Sequence, residues 1–281
     1  MYLVAVSANM LILVAVWVNK HLHTPMYFFL TNLSFLDICY ISSHLPNSLK
    51  EVFSERKVIS FAGCAAEMYI ALALGETQCL LLAVMACDRY VAICHPLNYV
   101  TIMNRPLCMK MAISTWISGF VLSVVHVAFT LTLPFCGRNR INHVACEIEA
   151  VLRLACTDIH LNEMVIFAVG VVILIIPLSF VLFTYVHIIA AILKISSSRG
   201  RHKAFSTCTS HLMVVTMFYG TCMVMYMTPR SLVSEDKHKI ISMFYGALIP
   251  MLNPLIYTLR NNDVKEALRK TIRVNIGSPN K

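Results

Sequence analysis

Long apolar stretches run along the whole chain, separated by short segments that carry most of the charged residues. Seven of these stretches approach the ~20 residues that an α-helix needs to cross the hydrocarbon core of a bilayer. The pattern therefore predicts an all-α membrane protein, a single domain of residues 1–281 built as a seven-transmembrane-helix bundle. The expected helices cover about residues 2–18, 26–49, 62–94, 107–133, 164–193, 203–228 and 240–259.

The second predicted helix is the most polar of the seven. It contains Asn32, Asp37 and His44 among its apolar residues. A charged or polar side chain that faces lipid is costly, whereas one that faces the interior of a bundle can find partners. We therefore expect the polar residues of this helix to point inward.

The composition agrees with a protein that spans a membrane. Hydrophobic residues make up 58% of the chain and charged residues only 13%, whereas soluble domains contain about 25% charged residues. The net charge of +9 comes from Lys and Arg at the ends of the apolar segments, without a basic stripe interleaved with aromatic residues. This distribution argues against nucleic acid as a partner.

The predicted loops differ in charge on the two sides of the membrane. If Asp88 and Arg89 lie on the cytoplasmic side, the segments on that side contain the larger share of Lys and Arg. Because cytoplasmic loops are enriched in these residues, we expect an extracellular N-terminus and a cytoplasmic C-terminus. Residues 261–272 are expected to form a basic amphipathic helix on the inner membrane surface, with a disordered basic tail as the alternative.

An acid–base pair, Asp88-Arg89, is followed by Tyr90 at the end of the third apolar segment. Charged side chains in a membrane segment are costly unless they are paired or close to the interface. The pattern predicts a switch in which Arg89 pairs with Asp88 at rest and is released on activation. The alternative is a static interfacial anchor.

A second polar group is expected in the middle of the membrane. Asp37 lies there, and Asn9, Gln78 and Asn253 are the residues that we expect around it in a polar core. The alternative is a protonated Asp37 with a structural role only.

A proline interrupts the seventh predicted helix. Pro254 follows Asn253, removes one backbone hydrogen bond and is expected to kink the helix. Tyr257 lies about one turn further on and is expected to move with the kink. A static kink is the alternative.

These motifs resemble those of olfactory receptors, a family of rhodopsin-like G-protein-coupled receptors. The likeness extends over nearly the whole chain. It is carried by residues 23–30, 33–40, 85–99, 134–137, 146–156, 203–212 and 250–261. The resemblance implies a plasma-membrane receptor that binds small volatile odorants and activates a stimulatory G protein, which raises cAMP.

The resemblance also implies where an odorant would bind. The pocket is expected in the outer half of the bundle, where an apolar space with a few polar groups suits small molecules. Glu76 would favour an amine or a hydroxyl-bearing ligand, unless it only binds a neighbouring helix. The expected lining residues are Ala71, Leu72, Gly75, Glu76, Tyr219, Cys222, Met223 and Tyr226.

Four of the eleven cysteines lie in or beside polar segments and are disulfide candidates. Four cysteines allow three connectivities, and the residues alone do not choose among them. The family resemblance implies the pairs Cys64–Cys146 and Cys136–Cys156. Together, these bonds would fold the long second outer loop into a lid over the pocket.

Three features depart from the family pattern. Cys87 stands where the family usually has tyrosine, which should change packing without abolishing the switch. Gln78 stands where the family commonly has an acid, which puts a sodium site at Asp37 in doubt. The chain starts directly before its first helix, and its one Asn-x-Ser/Thr sequence, at Asn32, lies inside the second helix. We therefore expect a truncated N-terminus.

The sequence contains no catalytic constellation and implies no cofactor. A metal site at His143, Cys146 and Glu147 is disfavoured, since Cys146 is expected in a disulfide. The alternatives are a receptor of the same class that senses a metabolite outside the nose, a transporter or channel, and a non-signalling product. Transporters usually contain two-fold internal repeats, and none is found.

Overall fold

The computed structural model describes residues 2–53, 58–136, 140–141, 143, 145–228, 235–260 and 264–266. Within these residues the chain forms seven long helices, which we number α1 to α7. Their bounds are α1 Tyr2–Val18, α2 Pro25–Phe53, α3 Phe61–Cys94, α4 Arg105–Leu131, α5 His160–Leu193, α6 Ser198–Tyr226 and α7, which comprises Glu235–Met243, Phe244–Leu248 and Ile249–Arg260.

Most of these helices are suited to a membrane. Among the described residues, five are long and apolar enough to span a bilayer, namely α3, α4, α5, α6 and the Ile240–Tyr257 part of α7, while α1 is apolar but shorter. In α2, Asp37 is fully buried and Asn32 accepts a hydrogen bond from the indole of Trp116 in α4. The side chain of His44 lies outside the described part of the structure.

Several helices begin before the first apolar residue of the predicted segment. α6 starts at Ser198 rather than 203, and α4 starts at Arg105 rather than 107. In both cases a polar residue caps the helix: Ser197 Oγ accepts from Gly200 N at 3.3 Å, and Asn104 Oδ1 accepts from Leu107 N at 3.0 Å. The apolar residues predict which part of a helix lies in the membrane, whereas the capping residues determine where the helix begins.

The third helix runs through the middle of the bundle. It contacts α2, α4, α5 and α6, and 61% of its most apolar stretch is buried, against 28% in α5. α4 approaches α3 closely at Gly119, where an added Cβ would lie 2.8 Å from the carbonyl oxygen of Ala73. α3 is therefore the element against which the other helices are positioned.

Two helices contain a single wide, π-helical turn. The turns are Val171–Ile175 in α5 and Phe244–Leu248 in α7. In each case a proline follows two residues after the turn, at Pro177 and Pro250. Proline has no N–H and its ring collides with the carbonyl four residues earlier, so the wider turn accommodates it.

Two disulfides lie at one end of the bundle, which we call the disulfide end. Cys64–Cys146 joins the start of α3 to the loop between α4 and α5, and Cys136–Cys156 closes that loop. A short helix in the loop, Ile148–Leu152, buries Ile148 and Leu152 against Met68. The opposite end, which carries Asp88 and Arg89, is called the switch end.

The expected tail helix at residues 261–272 lies outside the described residues, apart from 264–266. These three residues are helical, and Val264 is buried in the main apolar core.

Candidate ligand cavity and switch

A cavity lies between α3, α4, α5, α6 and α7, on the side of the bundle nearer the disulfide end. Six of the residues expected in the pocket line it: Ala71, Leu72, Gly75, Glu76, Cys222 and Tyr226. Seven others complete the wall, and most of them are apolar. They are Cys79, His126, Ile166, Gly170, Ile173, Leu174 and Tyr245.

Two residues expected in the pocket do not line this cavity. Tyr219 is 1% exposed, and its hydroxyl donates to the carbonyl oxygen of Cys79 at 2.7 Å. It therefore ties α6 to α3. Met223, on the same helix, is half-buried and lies outside the lining.

The wide turns of α5 and α7 contribute directly to the wall. Ile173 and Leu174 come from the turn in α5, and Tyr245 comes from the turn in α7. A Cβ at Gly75 would lie 2.7 Å from the Tyr245 hydroxyl. Glycine at this position therefore leaves room for the Tyr245 ring against α3.

The cavity contains a buried acid–base pair. His126 Nδ1 of α4 lies 2.9 Å from Glu76 Oε1 of α3, and both side chains are almost fully buried. The second polar atom of each, Glu76 Oε2 and His126 Nε2, has no hydrogen-bond partner. His126 was not predicted from the sequence, although it is the only titratable residue in the apolar part of α4 beyond Lys110.

At the switch end, Asp88 holds two partners. Arg89 Nη2 donates to Asp88 Oδ2, and the hydroxyl of Tyr99 donates to Asp88 Oδ1 at 2.8 Å. Burial, and then the negative charge of Asp88, raise the pKa of Tyr99, so its hydroxyl remains a donor. Tyr99 lies in the loop after α3, and its contact with Asp88 was not predicted.

Tyr90 connects the third and fifth helices. Its ring packs edge-on against His187 of α5 at 6.1 Å and against His95 at 5.6 Å, measured between ring centroids. The contact with His187 anchors the end of α3 to α5.

The expected polar core is present in part. Asn253 Nδ2 donates to both carboxylate oxygens of Asp37, at 3.2 and 3.0 Å. Asn9 instead donates to the carbonyl oxygens of Ala5 and Pro250, each at 3.0 Å. Gln78 is buried, and its Nε2 has no partner. Of the three expected partners, Asn253 is the one whose hydrogen bonds to Asp37 the described residues show.

The contact of Asn9 follows from the proline in α7. Pro254 has no N–H, so the carbonyl oxygen of Pro250, four residues earlier, lacks its normal helical donor. Asn9 supplies that donor from α1. One turn beyond the proline, the hydroxyl of Tyr257 is buried without a hydrogen-bond partner.

A histidine connects three helices between the cavity and the switch end. His211 Nε2 of α6 donates to the carbonyl oxygen of Leu82 in α3 at 3.1 Å. Its Nδ1 lies 2.7 Å from the hydroxyl of Tyr185 in α5, and the two rings are stacked. These contacts hold α6 against α3 and α5.

The loop at the disulfide end does not form a metal site in the part of the chain that the structure describes. Cys146 is bonded to Cys64, and Glu147 accepts a hydrogen bond from Ser242 of α7. No group of three potential metal-binding side chains is found among the described residues. Glu147 instead joins the loop to α7.

The chain is similar to known proteins over nearly its whole length. The olfactory receptor family model matches residues 1–274. The chain is 49% identical to human olfactory receptor 2G3, over 96% of this chain and 88% of that protein. It is 52% identical to human olfactory receptor 13C9, over 96% of this chain and 86% of that protein.

These matches confirm the resemblance and the predicted seven-helix fold class, and they do not favour a transporter or channel. The chain belongs to the olfactory receptor family and is an odorant receptor of the G-protein-coupled class, not an enzyme.

Proposed function

We propose that the chain binds small volatile odorants in the cavity described above, and that binding activates a stimulatory G protein that raises cAMP. The main support for this proposal is the cavity itself. Its wall is mostly apolar, with Glu76 and His126 as a buried polar pair. Cavities of this kind bind small, largely apolar molecules and orient them through a few polar groups.

The proposed orientation in the plasma membrane places the disulfide end outside. Disulfides persist in oxidising compartments, and the two bonds lie together at that end. Lys and Arg are more frequent in the segments of the switch end, as expected for the cytoplasmic side. The N-terminus is then extracellular and the C-terminus cytoplasmic.

The switch residues Asp88, Arg89 and Tyr90 are proposed to control access of the G protein. In this conformation, Asp88 binds Arg89 and Tyr99. We interpret this conformation as the resting state. An odorant that fits the active conformation better shifts the existing equilibrium toward it. Arg89 then leaves Asp88 and becomes available to the G protein.

The seventh helix is proposed to transmit the change. Asn253, Pro254 and Tyr257 form the movable part, because the helix lacks one backbone hydrogen bond there. The hydroxyl of Tyr257 is buried without a partner, so a new contact in the active state would lower its free energy. Asp37 holds Asn253 in place until that step.

Membrane lipid is the proposed partner of the bundle surface, and nucleic acid is not proposed as a partner. One face of α4 exposes Ile113, Ile117 and Val121, each more than half exposed. Their spacing of four residues places them in one stripe along the helix. A stripe of large apolar side chains is suited to acyl chains.

The test is a cAMP assay of the full chain, with and without an added N-terminal leader, on a broad odorant panel. Surface labelling of the tagged receptor accompanies every assay. We expect at least one odorant to raise cAMP in cells that display the receptor. Ala71→Phe, which fills the cavity, is expected to abolish that response, while Ile113→Phe on the lipid-facing surface preserves it.

A displayed receptor that raises no cAMP with any member of the panel would contradict the proposal. A full response from displayed Ala71→Phe would contradict the location of the site.

A further inference from the structure

We infer that Glu76 and His126 together form the polar anchor of the cavity and select odorants that carry a hydroxyl group. The inference rests on the proposed function, since it assumes that odorants bind in this cavity. It adds His126 as a specificity-determining residue. It also adds hydroxyl-bearing odorants as the chemical class of ligand.

The pair is unusual among the residues that line the cavity. Glu76 and His126 are 6% and 7% exposed. Among the described residues that line the cavity, they are the only ones with a buried side-chain polar atom that lacks a hydrogen-bond partner. A buried polar atom without a partner is costly, because it has lost its water and gained nothing in return. A ligand that supplies the missing hydrogen bonds therefore gains affinity.

The chemistry of the two free atoms limits the ligand. With Glu76 as the carboxylate, its Oε1 can only accept, so His126 Nδ1 then carries the proton that faces it. Glu76 Oε2 can only accept a hydrogen bond from the ligand. His126 Nε2 donates when the imidazole is charged and accepts when it is neutral. Whichever form is present, the ligand must bring at least one donor.

When His126 is charged, a hydroxyl group satisfies both free atoms with a single oxygen. It donates its proton to Glu76 Oε2, and its lone pairs accept from a charged His126. An ether, ketone or aldehyde has acceptors only and leaves Glu76 Oε2 unpaired. A carboxylate is repelled by Glu76, and an ammonium ion is repelled by His126 when the imidazole is charged.

The remainder of the wall suits the hydrocarbon part of such a ligand. Ala71, Leu72, Ile173 and Leu174 are apolar, and the last two come from the wide turn of α5. The cavity is thus polar at one place and apolar elsewhere. A small aliphatic or aromatic alcohol has the same division.

The test uses one carbon skeleton, taken from the most potent agonist found on the broad panel. The alcohol, methyl ether, aldehyde, amine and carboxylic acid of that skeleton are compared by cAMP dose–response. We expect the alcohol to act at a concentration about tenfold or more below that of the ether, as a hydrogen bond to a charged group implies.

Two substitutions and one control identify the source of this preference. Glu76→Gln keeps the shape of the side chain but adds an N–H donor. The ether should therefore become more potent, and the potency ratio of alcohol to ether should fall to about threefold or less. His126→Gln should reduce the alcohol response while preserving surface display. Ser123 lies one turn from His126 on α4, outside the cavity lining. The control variant Ser123→Ala should leave the potency ratio unchanged.

The outcomes separate the two proposals. If the displayed wild type responds equally to alcohol and ether, or if Glu76→Gln keeps the full preference, the inference is overturned while the proposed function stands. If the displayed wild type responds to no compound of the broad panel, both are overturned. Loss of the preference in Glu76→Gln but not in Ser123→Ala supports the inference.

Discussion

The carboxylate of Asp88 has two hydrogen-bond donors, and only one of them is its neighbour in the chain. Arg89 is its neighbour in the chain, whereas Tyr99 reaches it from the loop that follows α3. A hydrogen bond to a charged group contributes about 1.5–3 kcal/mol. Tyr99 is therefore expected to stabilise the proposed resting state by an amount comparable to the free-energy gap of a few kcal/mol between two receptor conformations.

We predict that Tyr99→Phe raises cAMP in the absence of odorant. The substitution removes only the hydroxyl that donates to Asp88, so the resting state loses stability and the active fraction rises, by about tenfold for each 1.4 kcal/mol lost. Basal cAMP is measured at matched surface display. Thr101→Ala, at an exposed position in the same loop, is the control. An unchanged basal level in Tyr99→Phe would show that its hydrogen bond to Asp88 does not stabilise the resting state.

The hydrogen bond from Asn9 to the carbonyl oxygen of Pro250 leads to a second prediction, which concerns the stability of the folded protein. Asn9→Ala leaves a buried carbonyl oxygen without a donor, which costs about 1–3 kcal/mol. In Pro254→Ala, the new backbone N–H can bind the same carbonyl, so Asn9→Ala should cost less in that background. Thermal unfolding of the purified wild type, both single variants and the double variant measures this difference. Equal costs in the two backgrounds would show that Asn9 has another role.

The short motifs identified several of these residues from the sequence. The structure shows why other functional residues could not be predicted. Asp88 and Arg89 are neighbours in the chain, so their pairing is visible locally. Glu76 and His126 are fifty residues apart, and their contact exists only because α3 and α4 pack side by side. The available signal was a titratable side chain within an apolar stretch of each helix, and it indicates a pair only when the helix packing is known.

At the scale of elements, the wide turns of α5 and α7 shape the cavity. Each turn contains one residue more than a regular α-helical turn, which rotates the rest of the helix by about 100°. Pro177 and Pro250 follow the two turns at the same spacing. The prolines were visible in the sequence, but apolar residues occupy both turns and give no periodic pattern that would predict them.

We predict that Pro177→Ala weakens the odorant response without reducing surface display. Alanine restores a backbone N–H and removes the clash with the preceding turn, so α5 can form a regular helix there. Ile173 and Leu174 would then rotate away from the cavity. The agonist concentration for half-maximal cAMP should rise by about tenfold, whereas Leu182→Ala on the exposed face of α5 leaves it unchanged. An unchanged concentration in Pro177→Ala would mean that the proline does not set the turn.

The helix ends show how far hydrophobicity alone predicts an element. The apolar segments located the helices because burial in lipid requires about 20 apolar residues. The polar first turns of α4 and α6 were missed, since they lie outside the apolar segment and are fixed by Asn104 and Ser197.

At the scale of the whole molecule, contacts lead from the cavity to the switch end through the central helix. α3 contributes Glu76 to the cavity, the Leu82 carbonyl to His211 and Asp88 to the switch. α6 contributes Cys222 to the cavity and binds α3 through Tyr219 and His211. A ligand that alters the packing of α6 on α3 therefore acts on the same helix that carries the switch.

We propose that an odorant in the cavity acts through Arg89. The most direct measurement is odorant-stimulated cAMP in cells that display equal amounts of the wild type and Arg89→Ala. We expect a concentration-dependent rise in cAMP for the wild type and none for Arg89→Ala. A full response from displayed Arg89→Ala would contradict this proposal.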